Sequence, residues 1–306
     1  MEYDKDIFIS FLNFYDLISN RNPRFTRQLC VSEGGAMNIV FWSKHAGRCA
    51  TSGNMLAVSI MSSLIYSVKG ILLQLDYRSR TLDDVFEGKR QVNLIMEEYA
   101  YYNKRGLDEL MDRSQLDTLT IDDVRENVIP IKDTRMSYIP TSSKIRTELN
   151  DKDAVNNSKS IMKLLKEAEQ YSFIDCINGD GPMAKGVLEN ADVIVVNLCQ
   201  GMSQDIPLPD KKLRDKCVYL VGRYDAASSE SLSDICRKYG IDRDNIMCIP
   251  YNIGFHDALV EGRLVTFLSK HISARRFDEN FDFINNVFKA THMILKKAGY
   301  DEIREK

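Results

Sequence analysis

The stretch of sequence that decides the fold is MNIVFWSKHAGRCATSGNMLA, residues 37–57. It begins with an apolar run typical of a buried strand, passes through a loop of small residues around Gly47, and continues as a helical pattern. A strand followed by such a loop and a helix N-terminus is the layout of a phosphate cradle, because free backbone N–H groups and the helix dipole both favour an anion there. We therefore predict a phosphate-binding loop between Ser43 and Met55.

The rest of the chain alternates strand-like and helix-like segments. Continuous apolar runs, such as VIVV at residues 193–196, predict strands that are covered on both faces, as parallel sheets require. We therefore predict an α/β fold with a doubly wound, mostly parallel sheet flanked by helices. Two short β segments are expected around Asp133, one helix over residues 255–271, and a final amphipathic helix over residues 281–297.

Residues 1–36 do not fit this alternation, because the apolar side chains between Asp6 and Asn20 spread around all faces of a helix. Two interpretations are open. The segment is a helical extension that docks on the domain or on a partner, or translation starts at Met37. The second follows from EGG at residues 33–35, which is what a purine-rich bacterial ribosome-binding site looks like when translated. We expect residues 37–306 to form one domain that includes the C-terminal helix.

Composition excludes several classes of protein. The 306 residues carry 41 Lys and Arg against 44 Asp and Glu, a formal net charge of −3, which argues against a protein that coats nucleic acid. The seven cysteines are scattered without a C-x-x-C pair, which favours a reducing cytosol over a disulfide framework or a zinc site. No apolar stretch reaches the roughly 18 residues that span a membrane, and the N-terminus is acidic. We expect a cytoplasmic protein.

Carboxylates end two of the apolar segments. Asp76 follows residues 71–75, and Asp175 follows Phe173 and Ile174 just before a glycine-containing loop. An acid that ends a buried strand beside a phosphate loop is how Mg²⁺ is held, usually through its waters. The alternative is that both acids cap helices or stabilise turns.

The loop departs from the full phosphate-binding motif G-x-x-x-x-G-K-[ST]. Cys49 and Ala50 stand where the second Gly and the Lys belong, while Thr51 and Ser52 remain available for a metal. Arg48 is bulkier and planar, so it does not replace the lysine. Losing that cation typically costs on the order of a thousand-fold in rate. We therefore expect slow nucleotide turnover or none.

Five segments, in this order along the chain, carry a resemblance to a known family. They are MNIVFWS (37–43), LLQLD (72–76), FID (173–175) with its glycine loop, ENADVIVV (189–196) and IPYN (249–252) with Asp257 and Ala258. The set resembles the ParA/MinD family of deviant Walker A P-loop ATPases, which includes the CpaE/TadZ-like pilus-positioning proteins, and in particular its divergent Gram-positive branch. The resemblance covers residues 37 to about 272 and implies a P-loop NTPase fold.

The resemblance also implies a function. In this family ATP with Mg²⁺ is held between two subunits, and hydrolysis resets the affinity for the partner subunit, a membrane or DNA. Carried over to this chain, Thr51 or Ser52 would ligate Mg²⁺, and Asp175 would hold its water shell. Asp76 would support the metal or the attacking water, and Lys44 lies nearest the lysine that acts across the dimer.

The remaining nucleotide contacts implied by the resemblance are Gly47 and Arg48 in the loop, and Pro250 and Asn252 near the base. Two hypotheses follow: an ATP-dependent dimeric switch that positions or partitions DNA, a pilus or another assembly, and a non-hydrolysing scaffold that keeps only the shape. A metabolic enzyme on this fold is a third class, but no substrate motif supports it. A contact with DNA or a membrane surface is compatible with the sequence but not evident from the charge.

Overall fold

The computed structural model describes residues 35–75, 81–86, 106–141, 151–202 and 211–300. The predicted N-terminal extension therefore lies outside the described residues, apart from Gly35 and Ala36.

Eight strands of the described chain form one sheet, in the order β3-β4-β2-β5-β1-β6-β7-β8. Neighbouring strands are parallel except for the pair β3–β4 at one edge. The predicted doubly wound, mostly parallel sheet is confirmed, and so are the two short β segments around Asp133. The strands are β1 (Met37–Trp42), β2 (Gly70–Gln74), β3 (Ile129–Pro130), β4 (Met136–Tyr138), β5 (Tyr171–Asp175), β6 (Val193–Leu198), β7 (Cys217–Tyr224) and β8 (Ile246–Pro250).

Helices connect the strands and cover the sheet. The predicted final helix is confirmed at residues 281–297, but the single helix predicted over residues 255–271 is wrong. Two helices stand there, because the chain turns at Gly262, whose φ of +70° is a left-handed conformation that glycine adopts without strain. The helices are α1 (Thr51–Tyr66), α2 (Leu82–Phe86), α3 (Leu107–Gln115), α4 (Ile121–Glu126), α5 (Asp151–Ala168), α6 (Pro182–Glu189), α7 (Leu232–Tyr239), α8 (Ile253–Val260), α9 (Leu264–His271) and α10 (Phe281–Lys297).

Two hydrophobic cores lie on the two faces of the sheet. On β1, Ile39 and Phe41 belong to the core that also contains residues of α1 and α10, whereas Val40 and Trp42 belong to the core beneath α5 and α6. All four side chains are at most 3% exposed. Successive residues of a strand point to opposite faces, so a strand buried on both sides must be apolar throughout. This explains the continuous apolar runs in the sequence.

The carboxyl end of β1 lies at the point where the strand order reverses. β1 lies in the middle, between β5 on one side and β6 on the other, so that Phe41 is in register with both Asp175 and Val195. In open α/β sheets, ligands bind outside the carboxyl ends of the strands at such a reversal. Here the loop between β1 and α1 occupies that position. No helix of the described residues is long and apolar enough to cross a membrane.

Candidate functional site

The loop after β1 is tied at its beginning to the loop after β5. The Trp42 Nε1–H donates a hydrogen bond to the Gly179 carbonyl (2.7 Å), and the Gly179 N–H donates to the Ser43 carbonyl (3.0 Å). The buried Ser43 hydroxyl accepts from the His45 N–H at 3.2 Å and lies at the same distance from the His45 carbonyl. Trp42 therefore has a structural role. Its side chain is buried in the core, and its indole N–H is bonded to the neighbouring loop.

The end of the loop is held against β6 and β7. The Cys49 carbonyl accepts a hydrogen bond from the side-chain amide of Asn54 (3.2 Å), which also donates to the Asn197 Oδ1 on β6 (2.8 Å). On β7, a Cβ atom added to Gly222 would lie 2.1 Å from that same carbonyl oxygen. Only glycine lets the loop approach β7 this closely.

The first turn of α1 follows directly. Ala50 is its N-cap residue, with a φ of +53°, and no side chain caps the helix. The first turn contains no acidic residue, and Thr51 is buried at 8% exposure. The N–H groups of a helix's first turn have no partners within the helix, and its dipole places partial positive charge there. This end of α1 thus retains its attraction for an anion.

A buried carboxylate lies one strand away from the loop. Asp175 ends β5 at 1% exposure, and the Gln74 side-chain amide donates a hydrogen bond to its Oδ2 (3.3 Å). The Gln74 carbonyl oxygen accepts in turn from the Thr141 hydroxyl (3.2 Å). A buried carboxylate is costly without compensating partners, so a cation near this position would stabilise it further. Asp76, the second predicted carboxylate, lies outside the described residues, and its role stays a prediction.

Lys44 forms an ion pair within its own chain. Its Nζ lies 3.7 Å from Asp180 Oδ2 in the loop after β5, and the two side chains are 25% and 67% exposed. An ion pair this open to solvent is weak, worth roughly 0–1 kcal/mol. Lys44 can therefore leave Asp180 at little cost.

The predicted residues of the loop after β1 lie together, whereas the predicted residues near β8 lie apart from them. Gly47 and Arg48 are exposed at the tip of the loop, and Thr51 and Ser52 begin α1. Neighbouring segments complete this edge of the sheet, since a Cβ added to Gly53 would lie 3.8 Å from the ring of Phe255 and 3.9 Å from Leu259, both on α8.

Pro250 and Asn252 lie at the end of β8, three strands from β1. The Asn252 Oδ1 caps α8 by accepting from the Phe255 N–H (2.7 Å), and its Nδ2 donates to the Asn280 Oδ1 (2.8 Å). Both polar atoms of Asn252 are thus bonded within the protein, which gives this residue a structural role at the N-terminus of α8.

Sequence reasoning missed a thiol pair in this site. Hydrogen bonding to the Cys49 thiol lowers the pKa of Cys199, which directly follows β6, to about 7, although partial burial acts in the opposite direction. Arg48 and Arg223 lower the pKa further, and Glu230 raises it. The same hydrogen bond, together with burial, raises the pKa of Cys49. Spacing gave no signal for the pair, because the two cysteines are distant in sequence.

Comparison with known proteins identifies the fold. No protein-family model and no curated protein matches the sequence. Among solved structures, a ParA family ATPase from Chlorobium tepidum superposes with a TM-score of 0.61 at 12% identity, covering 84% of this chain and 99% of its own. MinD from Pyrococcus horikoshii, complexed with Mg-ADP, gives 0.56 at 12% identity, covering 86% and 98%. A plasmid partition protein from Borrelia burgdorferi, bound to AMPPNP, gives 0.57 at 14% identity, covering 86% and 99%.

The chain thus has the doubly wound architecture of the P-loop NTPases. Within that class, its fold is the one found in the ParA and MinD ATPases. The resemblance carried by the five sequence segments is confirmed at the level of the fold.

The residues present fit a phosphate and a divalent cation better than they fit phosphoryl transfer. The uncapped start of α1 suits an anion, and Thr51 with the buried Asp175 supplies oxygen ligands of the kind Mg²⁺ prefers. Ala50, which directly precedes Thr51, provides no cation at this position. Among the described residues, no group of three or more His, Cys, Asp and Glu side chains could hold a metal by itself.

The contact between Gly222 and the loop gives a first prediction. The Gly222→Ala variant forces the Cys49 carbonyl away from β7, because 2.1 Å is far below van der Waals contact. Such overpacking typically costs about 1–3 kcal/mol, which we expect as a lower midpoint of urea unfolding. Gly35→Ala is the matched control, since nothing lies within 4 Å of an added Cβ there. Equal midpoints for the two variants would contradict the close approach.

The pKa of Cys199 gives a second prediction. Because only the thiolate reacts, alkylation of Cys199 by iodoacetamide should rise with pH around a midpoint of about 7. An ordinary cysteine shows a midpoint near 8.5. The measurement is the rate of Cys199 modification, followed by peptide mass spectrometry between pH 5.5 and 9. In the Cys49→Ala variant the midpoint should move upward, because the hydrogen bond that lowers the pKa is lost.

Proposed function

We propose that this chain is a cytoplasmic ParA/MinD-like nucleotide-binding protein, an ATP-dependent dimeric switch that positions or partitions DNA, a pilus or another assembly. One observation carries the proposal. At the point where strand order reverses, a small-residue loop enters the uncapped helix α1, one strand away from the buried carboxylate of Asp175. This combination supports a site for a polyanion together with its divalent cation.

Backbone groups would hold the phosphates. The segment from Arg48 to Ser52 leads into α1, where the first-turn N–H groups and the helix dipole attract negative charge. The loop is held in shape without a ligand by Asn54 and the close contact with Gly222. Such preorganisation reduces the entropy that binding must overcome.

Thr51 and Asp175 would hold Mg²⁺, the first through its hydroxyl and the second through the water shell. When bound, the ion would neutralise part of the negative charge of the phosphates. Gln74 keeps Asp175 oriented by donating to its Oδ2 at 3.3 Å. The bound nucleotides of two structural neighbours, Mg-ADP in the MinD structure and AMPPNP in the partition protein, support an adenine nucleotide as the ligand.

Hydrolysis is expected to be slow or absent. Ala50 occupies the lysine position, and Arg48 lies exposed at the tip of the loop, where its planar guanidinium does not reproduce a compact ammonium group. Removing one preorganised charge-stabilising group commonly lowers a rate by about a hundred- to a thousand-fold. Nucleotide binding, rather than turnover, would then set the state of the protein.

The dimeric arrangement rests on Lys44. In the resembling family, the corresponding lysine reaches the nucleotide of the partner subunit, and here the exposed pair with Asp180 leaves Lys44 free to be redirected at little cost. The proposal names the cargo only by its class, as DNA, a pilus or another assembly. It also names the surface to which the protein is recruited only by class, as nucleoid, cell pole or membrane.

Ligand binding tests the proposal directly. By isothermal titration calorimetry, ATP should bind the wild-type protein more tightly with Mg²⁺ than with EDTA, because Thr51 and Asp175 hold the ion. The Asp175→Asn variant keeps the shape of the side chain but removes its charge, and we expect it to lose about tenfold or more of the Mg²⁺-dependent affinity.

Asp180→Asn is the matched control, since Asp180 is an exposed acid of the neighbouring loop. It should bind nucleotide like the wild type. Wild-type protein that binds neither ATP nor ADP would refute the nucleotide switch and leave the scaffold.

The non-hydrolysing scaffold is the second candidate, and the replacement of the P-loop lysine by Ala50 is the observation that favours it. Restoring the cation with Ala50→Lys separates the two. A site that binds Mg-ATP should gain at least about tenfold in turnover, measured by phosphate release under saturating nucleotide. Ala50→Arg is the control, because its planar group should not restore the rate. No gain with lysine, together with absent ATP binding, supports the scaffold.

A further inference from the structure

Three sulfur-bearing side chains meet at the base of the phosphate loop. We call Cys49, Cys199 and Met202 the sulfur cluster. The Cys49 Sγ lies 4.0 Å from the Met202 Sδ, and the Cys199 N–H donates to the same Sδ at 3.1 Å. Both cysteines therefore contact the same sulfur atom, Cys49 through its thiol and Cys199 through its backbone N–H. The fold thereby brings together two cysteines that are far apart in sequence.

Both thiols are carried by backbone that is already fixed. On one side, the Cys49 carbonyl is packed on Gly222. On the other, the Gln200 side chain donates to the carbonyls of Asp225 (3.0 Å) and Glu230 (2.7 Å), and the Gly201 N–H donates to Glu230 Oε2 (2.6 Å). Two thiols held in this way can be bridged with little further loss of chain freedom.

The segment that carries Cys199 and Met202 is also anchored to α7. The Lys238 ammonium group donates to the Met202 carbonyl at 2.5 Å and to Glu230 Oε1 at 2.9 Å. These bonds do not involve the phosphate loop. The position of Cys199 is therefore set independently of whether the loop holds a ligand.

The two cysteines differ in access and charge. Cys49 is 1% exposed, whereas Cys199 is only partly buried. The groups that act on Cys199 come from every side: Arg48 in the loop, Arg223 on β7, Glu230 before α7, and the Cys49 thiol. Two cations against one carboxylate favour a thiolate at Cys199, which makes it the attacking sulfur and leaves Cys49 to resolve the intermediate.

We propose that Cys49 and Cys199 are a modification site, a thiol pair that hydrogen peroxide oxidises to a reversible disulfide linking the phosphate loop to the segment after β6, and that bound nucleotide slows this oxidation. The second clause rests on the proposed nucleotide function, whereas the first does not.

The reaction balances with one peroxide. The Cys199 thiolate attacks one peroxide oxygen, the O–O bond breaks, and hydroxide leaves as Cys199 becomes a sulfenic acid. The released hydroxide takes the proton of the Cys49 thiol and becomes water, and the Cys49 sulfur then attacks the sulfenic sulfur, forming the S–S bond as the S–O bond breaks. The hydroxide that leaves is neutralised by the proton that Cys199 lost at the start. Two thiols and one peroxide give one disulfide and two waters. A dithiol reductant reverses the change by thiol–disulfide exchange.

Charge couples the site to its ligand. The Cys199 thiolate and the phosphates of a nucleotide would both be stabilised by the cation of Arg48, so each disfavours the other. Bound nucleotide should therefore leave Cys199 more protonated and slower to react with peroxide.

Peptide mapping of the full chain tests the disulfide. After treatment with hydrogen peroxide and blocking of free thiols, trypsin releases residues 49–69 and 186–211, each of which contains one cysteine. We expect these peptides to be joined, with a mass lower by two hydrogen atoms than the sum of the reduced pair, and dithiothreitol should separate them. Cys199→Ser and Cys49→Ala should abolish the joined species.

Cys248→Ser is the matched control, because Cys248 is also partly buried but lies on β8 with its thiol near Asn286. It should form the joined species like the wild type. Cross-links between other cysteines, or a stable sulfenic acid at Cys199 without a joined peptide, would overturn the proposal. Circular dichroism of each variant excludes loss of the fold as the reason for a missing disulfide.

The rate of disulfide formation with and without Mg-ATP tests the coupling. We expect saturating Mg-ATP to slow oxidation about tenfold, the change that one unit of pKa produces in the thiolate fraction. Equal rates in protein that binds Mg-ATP by calorimetry would overturn the coupling. If the reduced protein binds no nucleotide, the proposed function fails, and the disulfide is decided by the peptide map alone.

Discussion

The parallel pairing of β1 with both β5 and β6 is the constraint on which the rest of the structure depends. Parallel strands bring their carboxyl ends to one edge of the sheet. The loop after β1, the carboxylate of Asp175 at the end of β5, and Cys199 after β6 therefore meet there, although nothing in their spacing along the chain links them. Both faces of these strands are buried, so the pairing is fixed by hydrophobic packing on two sides.

The loop that results is held at its backbone carbonyl groups, at Ser43 by the Gly179 N–H and at Cys49 by the Asn54 side-chain amide. Its end is fixed by the Cys49 carbonyl, which packs on Gly222 and accepts from Asn54. Backbone N–H groups can attract a phosphate whichever residues carry them, whereas phosphoryl transfer needs a cation at one position. Under the proposed function, Ala50 at the lysine position would therefore remove a catalytic group and leave the backbone groups that attract phosphate in place. Binding and turnover would then be separable for that physical reason.

Much of the fold follows from local sequence pattern. The apolar runs predicted the central strands, and the helical periodicity over residues 281–297 predicted α10 with its observed bounds. The one helix predicted over residues 255–271 was wrong because hydrophobic periodicity continues through the break, and only the left-handed Gly262 reveals it. The positions of the candidate loop after β1 and of Asp175 at the end of β5 also followed from the sequence, because each comes at the end of an apolar run, whereas what they bind stays a prediction.

The sequence by itself determined which segments become buried strands, and it determined that an alanine, Ala50, and not a lysine precedes Thr51. Tertiary structure alone decided which distant groups meet there: the sulfur cluster, the amide of Asn54 on Asn197, and Gly222 beneath the loop. Tertiary structure also gave both polar atoms of Asn252 partners within the protein. The physical reason is range: periodicity reports burial of neighbouring residues, whereas contacts between remote segments depend on strand order, which no local pattern encodes.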